Sequence, residues 1–96
     1  MAIVNTTVSV TTSPTLLAAA DPGRRFIAFS NGSGSHIHIG GATVTTTNGM
    51  RLDNNEDHEF QQQHPNDHTP GQAWYGIASS GTQSVGVTIS KEDSTT

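Results

Sequence analysis

The chain has 96 residues, the length of a single domain, and hydrophobic residues make up 31% of it. This share lies below the roughly 45–50% apolar residues of ordinary domains, even allowing for the glycine that the latter figure includes, and there is no cysteine to reinforce a small core. The net charge of −4, with only four Lys and Arg residues, argues against a basic surface for nucleic acid or an anionic membrane. We therefore expect association with further copies or with a larger partner to supply additional buried surface.

The first third of the chain predicts three strands separated by proline and glycine. Residues 3–10 alternate between apolar and polar side chains, as a half-buried strand does. A short apolar piece follows at residues 16–17, and the segment DPG at residues 21–23 predicts a turn. Residues 24–29 are apolar on both faces, so we expect this strand to be covered on two sides.

Two turn sequences predict β-hairpins. The segment NGSG at residues 31–34 connects the previous strand to one over residues 35–39. The segment SSGT at residues 79–82 connects a strand over residues 74–78 to the alternating residues 85–89. Each hairpin would place its two strands side by side in one sheet.

The middle of the chain combines two predicted strands with a polar loop. The Thr-rich residues 43–46 lie between GG and NG and predict a short strand. A further strand is predicted over residues 56–62, centred on Phe60. Residues 63–71 are predicted to be a long loop, and such loops in compact domains are usually functional or mobile.

Seven or eight short antiparallel strands without helical periodicity predict an all-β fold, either a small β-sandwich or a jelly roll. We expect one domain over residues 1–90 and a polar tail over residues 91–96. The N-terminal sequence lacks the basic start and the continuous apolar core of a signal peptide, and no apolar run reaches membrane-spanning length. We therefore expect synthesis in a cytoplasm and no membrane partner.

His36 and His38 are the candidate metal ligands. They lie two residues apart on a predicted strand whose Ile37 and Ile39 face the core, so both imidazoles leave the opposite face. Two ligands do not define a Zn²⁺ or Fe²⁺ site. We therefore favour an exposed polar pair with no metal and no cofactor, and expect a metal site only where an oligomer brings several pairs together. A cupin-like metalloenzyme is a minor alternative, because no Glu or further His follows at a matching distance.

A second group of histidines and carboxylates lies in and before the polar loop. Its spacing matches no metal signature, so we expect a solvated acidic patch. At a subunit interface, the histidines would make assembly sensitive to pH. The group consists of Glu56, Asp57, His58, His64, Asp67 and His68.

Enzymatic activity is not expected. The sequence has no Gly-x-Ser-x-Gly motif, and a chain of this size has little room for a nucleophile, a base and a closed pocket together. The adjacent Trp74 and Tyr75 form the one aromatic pair that suits stacking on a sugar. The favoured alternative is that one of them belongs to the core and the other to an edge or an interface.

Three segments in order, GRRFIAFSNGSGSHIHIGG, VTTTNGMRL and WYGIASSGTQSVGVTIS, resemble small β-sandwich proteins of tailed-bacteriophage virions, which include head decoration (cement) proteins, head fibres and tail components. The shared motifs are an Arg-containing strand, a polar turn that leads to IGG, an NG turn near Leu, and an aromatic-Gly-Ile-Ala hairpin. They cover residues 23–52 and 74–89, about half of the chain. The loop over residues 61–72 departs from the pattern because it is longer and richer in His and Gln. The resemblance implies a non-enzymatic virion protein, often a homotrimer, made in the host cytoplasm.

The favoured function is therefore a capsid decoration protein that clamps neighbouring copies of the major capsid protein of a phage head. The alternative is a head or tail fibre component that binds a receptor or a glycan through an exposed aromatic tip. The candidate partner-contact residues are Ala2, Ile3, Val4, Asn5, Gln63, His64, Pro65, Asn66, His68, Trp74 and Tyr75.

Overall fold

The structure, a computed structural model, describes residues 2–32, 34–63 and 69–91. Within these ranges the chain forms eight β-strands and one short 3₁₀ helix. The strands are β1 (Ala2–Val10), β2 (Thr15–Ala18), β3 (Arg24–Asn31), β4 (Ile37–Gly40), β5 (Met50–Leu52), β6 (Glu56–Gln61), β7 (Trp74–Ala78) and β8 (Gln83–Lys91), and the 3₁₀ helix is η1 (Thr69–Gly71).

The strands form two four-stranded antiparallel sheets. The first sheet has the order β1-β8-β3-β6 and the second has the order β2-β7-β4-β5. The pairs β1–β8, β2–β7, β3–β6 and β4–β5 nest inside one another, as in one long hairpin with β4–β5 at its tip. Pairing of β3 with β8 and of β4 with β7 joins them into sheets. A hairpin rolled up in this way is a jelly roll, and the predicted fold class is confirmed.

Both predicted hairpins are wrong. β3 and β4 lie in different sheets, as do β7 and β8, so each connecting turn leads from one sheet to the other. The side chain of Asn31 holds the first of these turns, because its amide nitrogen donates hydrogen bonds to the backbone oxygens of Ser35 (2.7 Å) and Leu52 (3.0 Å). Side chains alternate inward and outward in a hairpin and in an inter-sheet turn alike, so the pattern does not separate the two.

The predicted strand over residues 43–46 is also wrong, because these residues form turns and the strand in this region is β5. The backbone N–H of Thr45 donates to the side-chain oxygen of Asn48 (2.7 Å), and that of Thr47 donates to the Thr45 hydroxyl (3.2 Å). Such local bonds to Thr and Asn side chains compete with the hydrogen-bond ladder of a sheet. The high β-propensity of threonine is thereby overridden.

The core lies between the two sheets and is formed by one face of each strand. β3 is buried on its inner face only: Phe26 and Ala28 on the outer face are half-buried and Ser30 is exposed. The expectation of cover on both sides of this strand is therefore wrong. The core cluster consists of Val10, Leu17, Ile27, Phe29, Ile37, Ile39, Leu52, Ala78, Val85 and Val87.

The first half of β1 extends beyond the core. β1 has nine residues, whereas the strands of the second sheet have at most five. On the inner face Val10 is buried and Val8 half-buried, but Thr6 is exposed and Val4 is 43% exposed. The predicted half-buried strand is therefore observed only in its second half, and the first half has an inner face without cover from the second sheet.

Candidate functional site

The start of β1 is an exposed apolar edge. Ile3 pairs with Ser90 and Val4 pairs with Ile89, both on β8, and no other strand of the described residues pairs with β1. Ile3 is 70% exposed and Val4 is 43% exposed, on opposite faces of the sheet. The next residue, Asn5, is exposed and its side-chain oxygen accepts a hydrogen bond from the Thr88 hydroxyl (2.8 Å). These three candidate contact residues are therefore accessible to a partner.

A second apolar surface lies on the outer face of the second sheet. Leu17 belongs to the core, so Leu16 before it faces outward, where it is 46% exposed. The residue opposite Leu16 is Tyr75 of β7, which is half-buried. Ile77 follows Tyr75 on the same outward face but is only 6% exposed, so Leu16 and Tyr75 form the accessible part of this surface. We call Leu16, Tyr75 and Ile77 the outer strip. Sequence analysis missed Leu16, because two adjacent leucines do not show which of them faces the core.

Trp74 belongs to an aromatic cluster between the sheets. Its ring centroid lies 4.6 Å from that of Phe60 and 5.3 Å from that of the buried Phe29. The His58 ring continues the stack on Phe60, with 4.9 Å between centroids. Phe60 and Trp74 are half-buried and His58 is exposed, so this aromatic cluster reaches the surface at the β6 edge.

Trp74 and Tyr75 do not form a shared stacking surface. They are neighbours on β7 and therefore project from opposite faces of the strand. Trp74 packs inward and its indole N–H donates to the backbone oxygen of Thr69 (3.3 Å), at the start of η1. The interpretation that one of the pair belongs to the core is thus correct for Trp74, and Tyr75 is the one that faces outward.

Arg24 attaches η1 and the residue after it to the body of the protein. It is 5% exposed, and its guanidinium donates hydrogen bonds to the backbone oxygens of Pro70 (3.0 Å), Gln72 (3.2 Å) and Ala19 (2.7 Å). Burial lowers the pKa of Arg24, and the nearby Asp21 carboxylate opposes this shift. The described end of the predicted loop is therefore held in place. Sequence analysis did not single out Arg24, because composition does not distinguish a buried arginine from an exposed one.

The two candidate metal ligands on and beside β4 are close together but differ in environment. The ring centroids of His36 and His38 lie 5.6 Å apart. His38 is only 8% exposed, so the expectation of an exposed pair is wrong for this residue. Burial lowers the pKa of His38, with smaller contributions in the same direction from His36 and Arg51. Among the described residues no group of three or more His, Cys, Asp or Glu side chains is placed to hold a metal ion.

The second predicted group of histidines and carboxylates falls partly on β6. Asp57 and His58 are neighbours on this strand and project from its opposite faces, so they do not converge on one site. Glu56 caps a turn instead: its carboxylate accepts a hydrogen bond from the backbone N–H of Asp53 (2.8 Å). The remaining members, His64, Asp67 and His68, lie outside the described residues.

The start of β1 and the end of β6, which Gln63 follows, lie at the same end of the first sheet, on its opposite edges. One row of paired residues runs from Ile3 through Ser90 and Phe26 to Gln61. Three strand spacings separate Ile3 from Gln61, which corresponds to about 14 Å. Gln63 follows shortly after and is exposed. The other candidates in this segment, His64, Pro65, Asn66 and His68, lie outside the described residues.

Comparisons with known proteins gave no match to a protein-family model, to a curated protein or to a solved structure. Within the described ranges no helix has the length and apolar character needed to cross a bilayer.

Proposed function

We propose that this chain is a non-enzymatic virion structural protein that decorates the outer surface of a bacteriophage head and stabilises it by binding the major capsid protein. The observation that carries the proposal is the outer strip, in which Leu16 is 46% exposed beside Tyr75. An exposed leucine beside a half-buried tyrosine on the outward face of a sheet offers an apolar contact to a protein partner. In a chain with only 31% hydrophobic residues, such side chains would otherwise be expected in the core.

The fold agrees with this proposal by analogy. Jelly rolls occur in viral capsid proteins and in lectins, so the architecture alone does not choose between binding a shell and binding a sugar. The resemblance to phage virion proteins favours the shell. Its residues, 23–52 and 74–89, include β3, β4, β5 and β7 and most of β8. All of these except the edge strand β5 are central strands of the two sheets.

Stabilisation of a shell requires only a modest energy from each copy. Covering the exposed half of Leu16 contributes about 1 kcal/mol, since full burial of a leucine side chain contributes roughly 1.5–3 kcal/mol. The same contact is repeated wherever a copy binds, and each copy stabilises the assembled state over the dissociated one. A decoration protein therefore acts through its number of copies more than through the affinity of one site.

A fibre component that binds a receptor or a glycan is the second candidate function. The observation that favours it is the aromatic cluster, in which Phe60 and Trp74 are half-buried and His58 is exposed. Half-exposed aromatic rings provide faces on which sugar rings stack. This function would place the β6 edge, rather than the outer strip, against the ligand.

The number and position of copies on purified particles distinguishes the two functions. Quantitative mass spectrometry gives the copy number, and immunogold electron microscopy gives the position. Hundreds of copies on the head support decoration, whereas a few copies at the tail tip support the fibre function. Absence of the chain from the particle contradicts both.

The outer strip is tested with heads purified from a mutant phage that lacks the gene for this chain. The variant Leu16→Asp places a carboxylate in the proposed interface, and Thr43→Asp makes the same charge change at an exposed position of the loop between β4 and β5, which is not part of the outer strip. We expect Leu16→Asp to weaken binding to heads at least about tenfold, because a buried unpaired carboxylate is costly, while Thr43→Asp binds normally. Equal binding by both variants would exclude the outer strip as the docking face.

A further inference from the structure

Three of the four edge strands in the described structure have features that hinder pairing with another strand. β2 has four residues and a register shift, and β5 has only three residues. β6 exposes the carboxylates of Glu56, Asp57 and Glu59. Natural sheets protect their edges by short length, by bulges and by charge in this way.

The fourth edge strand, β1, has none of these features. It has nine residues, AIVNTTVSV, with no charged residue and no proline. Its register with β8 is unbroken from Ala2 opposite Lys91 to Val10 opposite Gln83, so there is no bulge. The backbone groups on its free side, together with the exposed Ile3 and Val4, form a template for another extended strand.

We propose that β1 pairs antiparallel with β1 of a second copy, which joins the two first sheets into one eight-stranded sheet across a two-fold axis. An antiparallel pair of identical strands is self-complementary and closes after two copies. Pairing of β1 with the acidic β6 edge of another copy would instead be head-to-tail and open-ended. The β1 edge of a second copy is therefore the best partner for β1, because it has the same length, carries no charge and gives an assembly that closes after two copies.

The sequence of β1 suits a register centred on Thr6. In this register Thr6 lies opposite Thr6 of the second copy, Val4 opposite Val8, and Asn5 opposite Thr7. Valine side chains that are partly exposed in one copy would then pack against each other, and Asn5 would face Thr7, while Ile3 would lie opposite Ser9. The strand pair adds about eight to ten backbone hydrogen bonds.

This inference does not depend on the proposed function, because it concerns the isolated protein. The outer strip lies on the second sheet and the aromatic cluster at the β6 edge, so both surfaces stay free in the dimer. The two-fold pairing differs from the trimer that the resemblance implies. The mass of the protein in solution separates the two.

The experiment measures the mass of the full chain at micromolar concentrations by light scattering and by native mass spectrometry. We expect twice the chain mass of 10.1 kDa. The variant Thr6→Lys places two like charges opposite each other at the axis and should weaken dimerisation at least tenfold, as should Thr6→Glu. The control Thr43→Lys, at an exposed position outside the sheets, should remain dimeric. Mixing the Thr6→Lys and Thr6→Glu variants should restore a dimer, because opposite charges then meet.

A monomer or a trimer of the unmodified chain would overturn the proposal, as would a mixture of the two Thr6 variants that stays monomeric. If the Thr6 variants do not fold, hydrogen exchange on the unmodified chain decides. Amides of β1 should exchange more slowly as the protein concentration rises, and an exchange rate independent of concentration contradicts the pairing. Binding to phage heads is measured separately, so a dimer that binds no head leaves this inference intact and contradicts only the proposed function.

Discussion

Replacement of Asn31 by alanine tests the turn that carries the chain from the first sheet to the second. Asn31 is completely buried, and its side-chain amide donates to the backbone oxygens of Ser35 (2.7 Å) and Leu52 (3.0 Å). Its own backbone oxygen accepts a hydrogen bond from the N–H of Asn55 (2.7 Å), which the substitution leaves in place. Asn31→Ala therefore removes the side-chain bonds that hold the turn without removing its backbone pairing.

The hydrogen bonds to the Ser35 and Leu52 oxygens differ in the cost of their loss. The bond to the Leu52 oxygen is buried, and an acceptor left unsatisfied there costs about 1–3 kcal/mol. The bond to the Ser35 oxygen is partly buried, so water can replace the donor and the loss is about 0.5–1.5 kcal/mol. We expect Asn31→Ala to lower the free energy of unfolding by about 2–4 kcal/mol in total, a large part of the 5–15 kcal/mol typical of a domain.

Urea unfolding followed by the fluorescence of the single tryptophan measures this loss. With a slope of about 1 kcal/mol per molar urea, the midpoint should fall by about 2 M or more. The matched control is Asn54→Ala, which removes an exposed hydrogen bond from the N–H of Gly34 (2.9 Å) and should cost less than about 1 kcal/mol. All proteins are compared at one concentration, because association contributes to stability. A loss for Asn31→Ala no larger than that for the control would refute the role assigned to Asn31.

Two further substitutions test the turn before β5 and the buried histidine. Gly49 has φ of +84°, and a Cβ there would lie 2.6 Å from Val44 Cγ2 and 2.7 Å from the Ile39 oxygen. Gly49→Ala should therefore lower the free energy of unfolding by about 2–3 kcal/mol in urea unfolding, whereas Gly41→Ala, with open space around the added Cβ, should be nearly neutral. Similar losses for the two variants would contradict the strain and close contacts assigned to position 49. Burial lowers the pKa of His38, so as pH falls below about 6.5 the unfolded chain takes up a proton more readily than the folded one and stability decreases. We expect His38→Gln to show a weaker loss of stability between pH 7 and pH 5 in parallel unfolding experiments, and superimposable profiles would contradict it.

Strand positions were largely predictable because they depend on local pattern. The strand predicted over residues 74–78 is β7, and the one predicted over residues 56–62 ends one residue earlier in the structure as β6. A strand is favoured by the alternation of apolar and polar residues and by β-branched side chains within a few neighbouring positions. The sequence around each strand is therefore enough to locate it. The failure at residues 43–46 has the same local origin, because hydroxyl and amide side chains there form turns instead.

The surfaces were less predictable because exposure depends on what covers a residue. Val4 and Val8 have the same pattern in the sequence, yet only Val8 is half-buried, because the second sheet reaches Val8 and not Val4. His38 was expected to be exposed, and it is buried on an outward face between β5 and β7. Neither outcome follows from the residue type or its neighbours along the chain.

The sequence by itself determined the all-β class, most strand positions and a shortage of apolar side chains for a large core, because these properties follow from composition and from a two-residue period. Only the tertiary structure decided that the turns at residues 31–34 and 79–82 connect different sheets, and that β1 became an unprotected edge. The physical reason is that strand partners are chosen by packing between distant segments. The same inward and outward alternation is compatible with several partners until the two sheets close over the core.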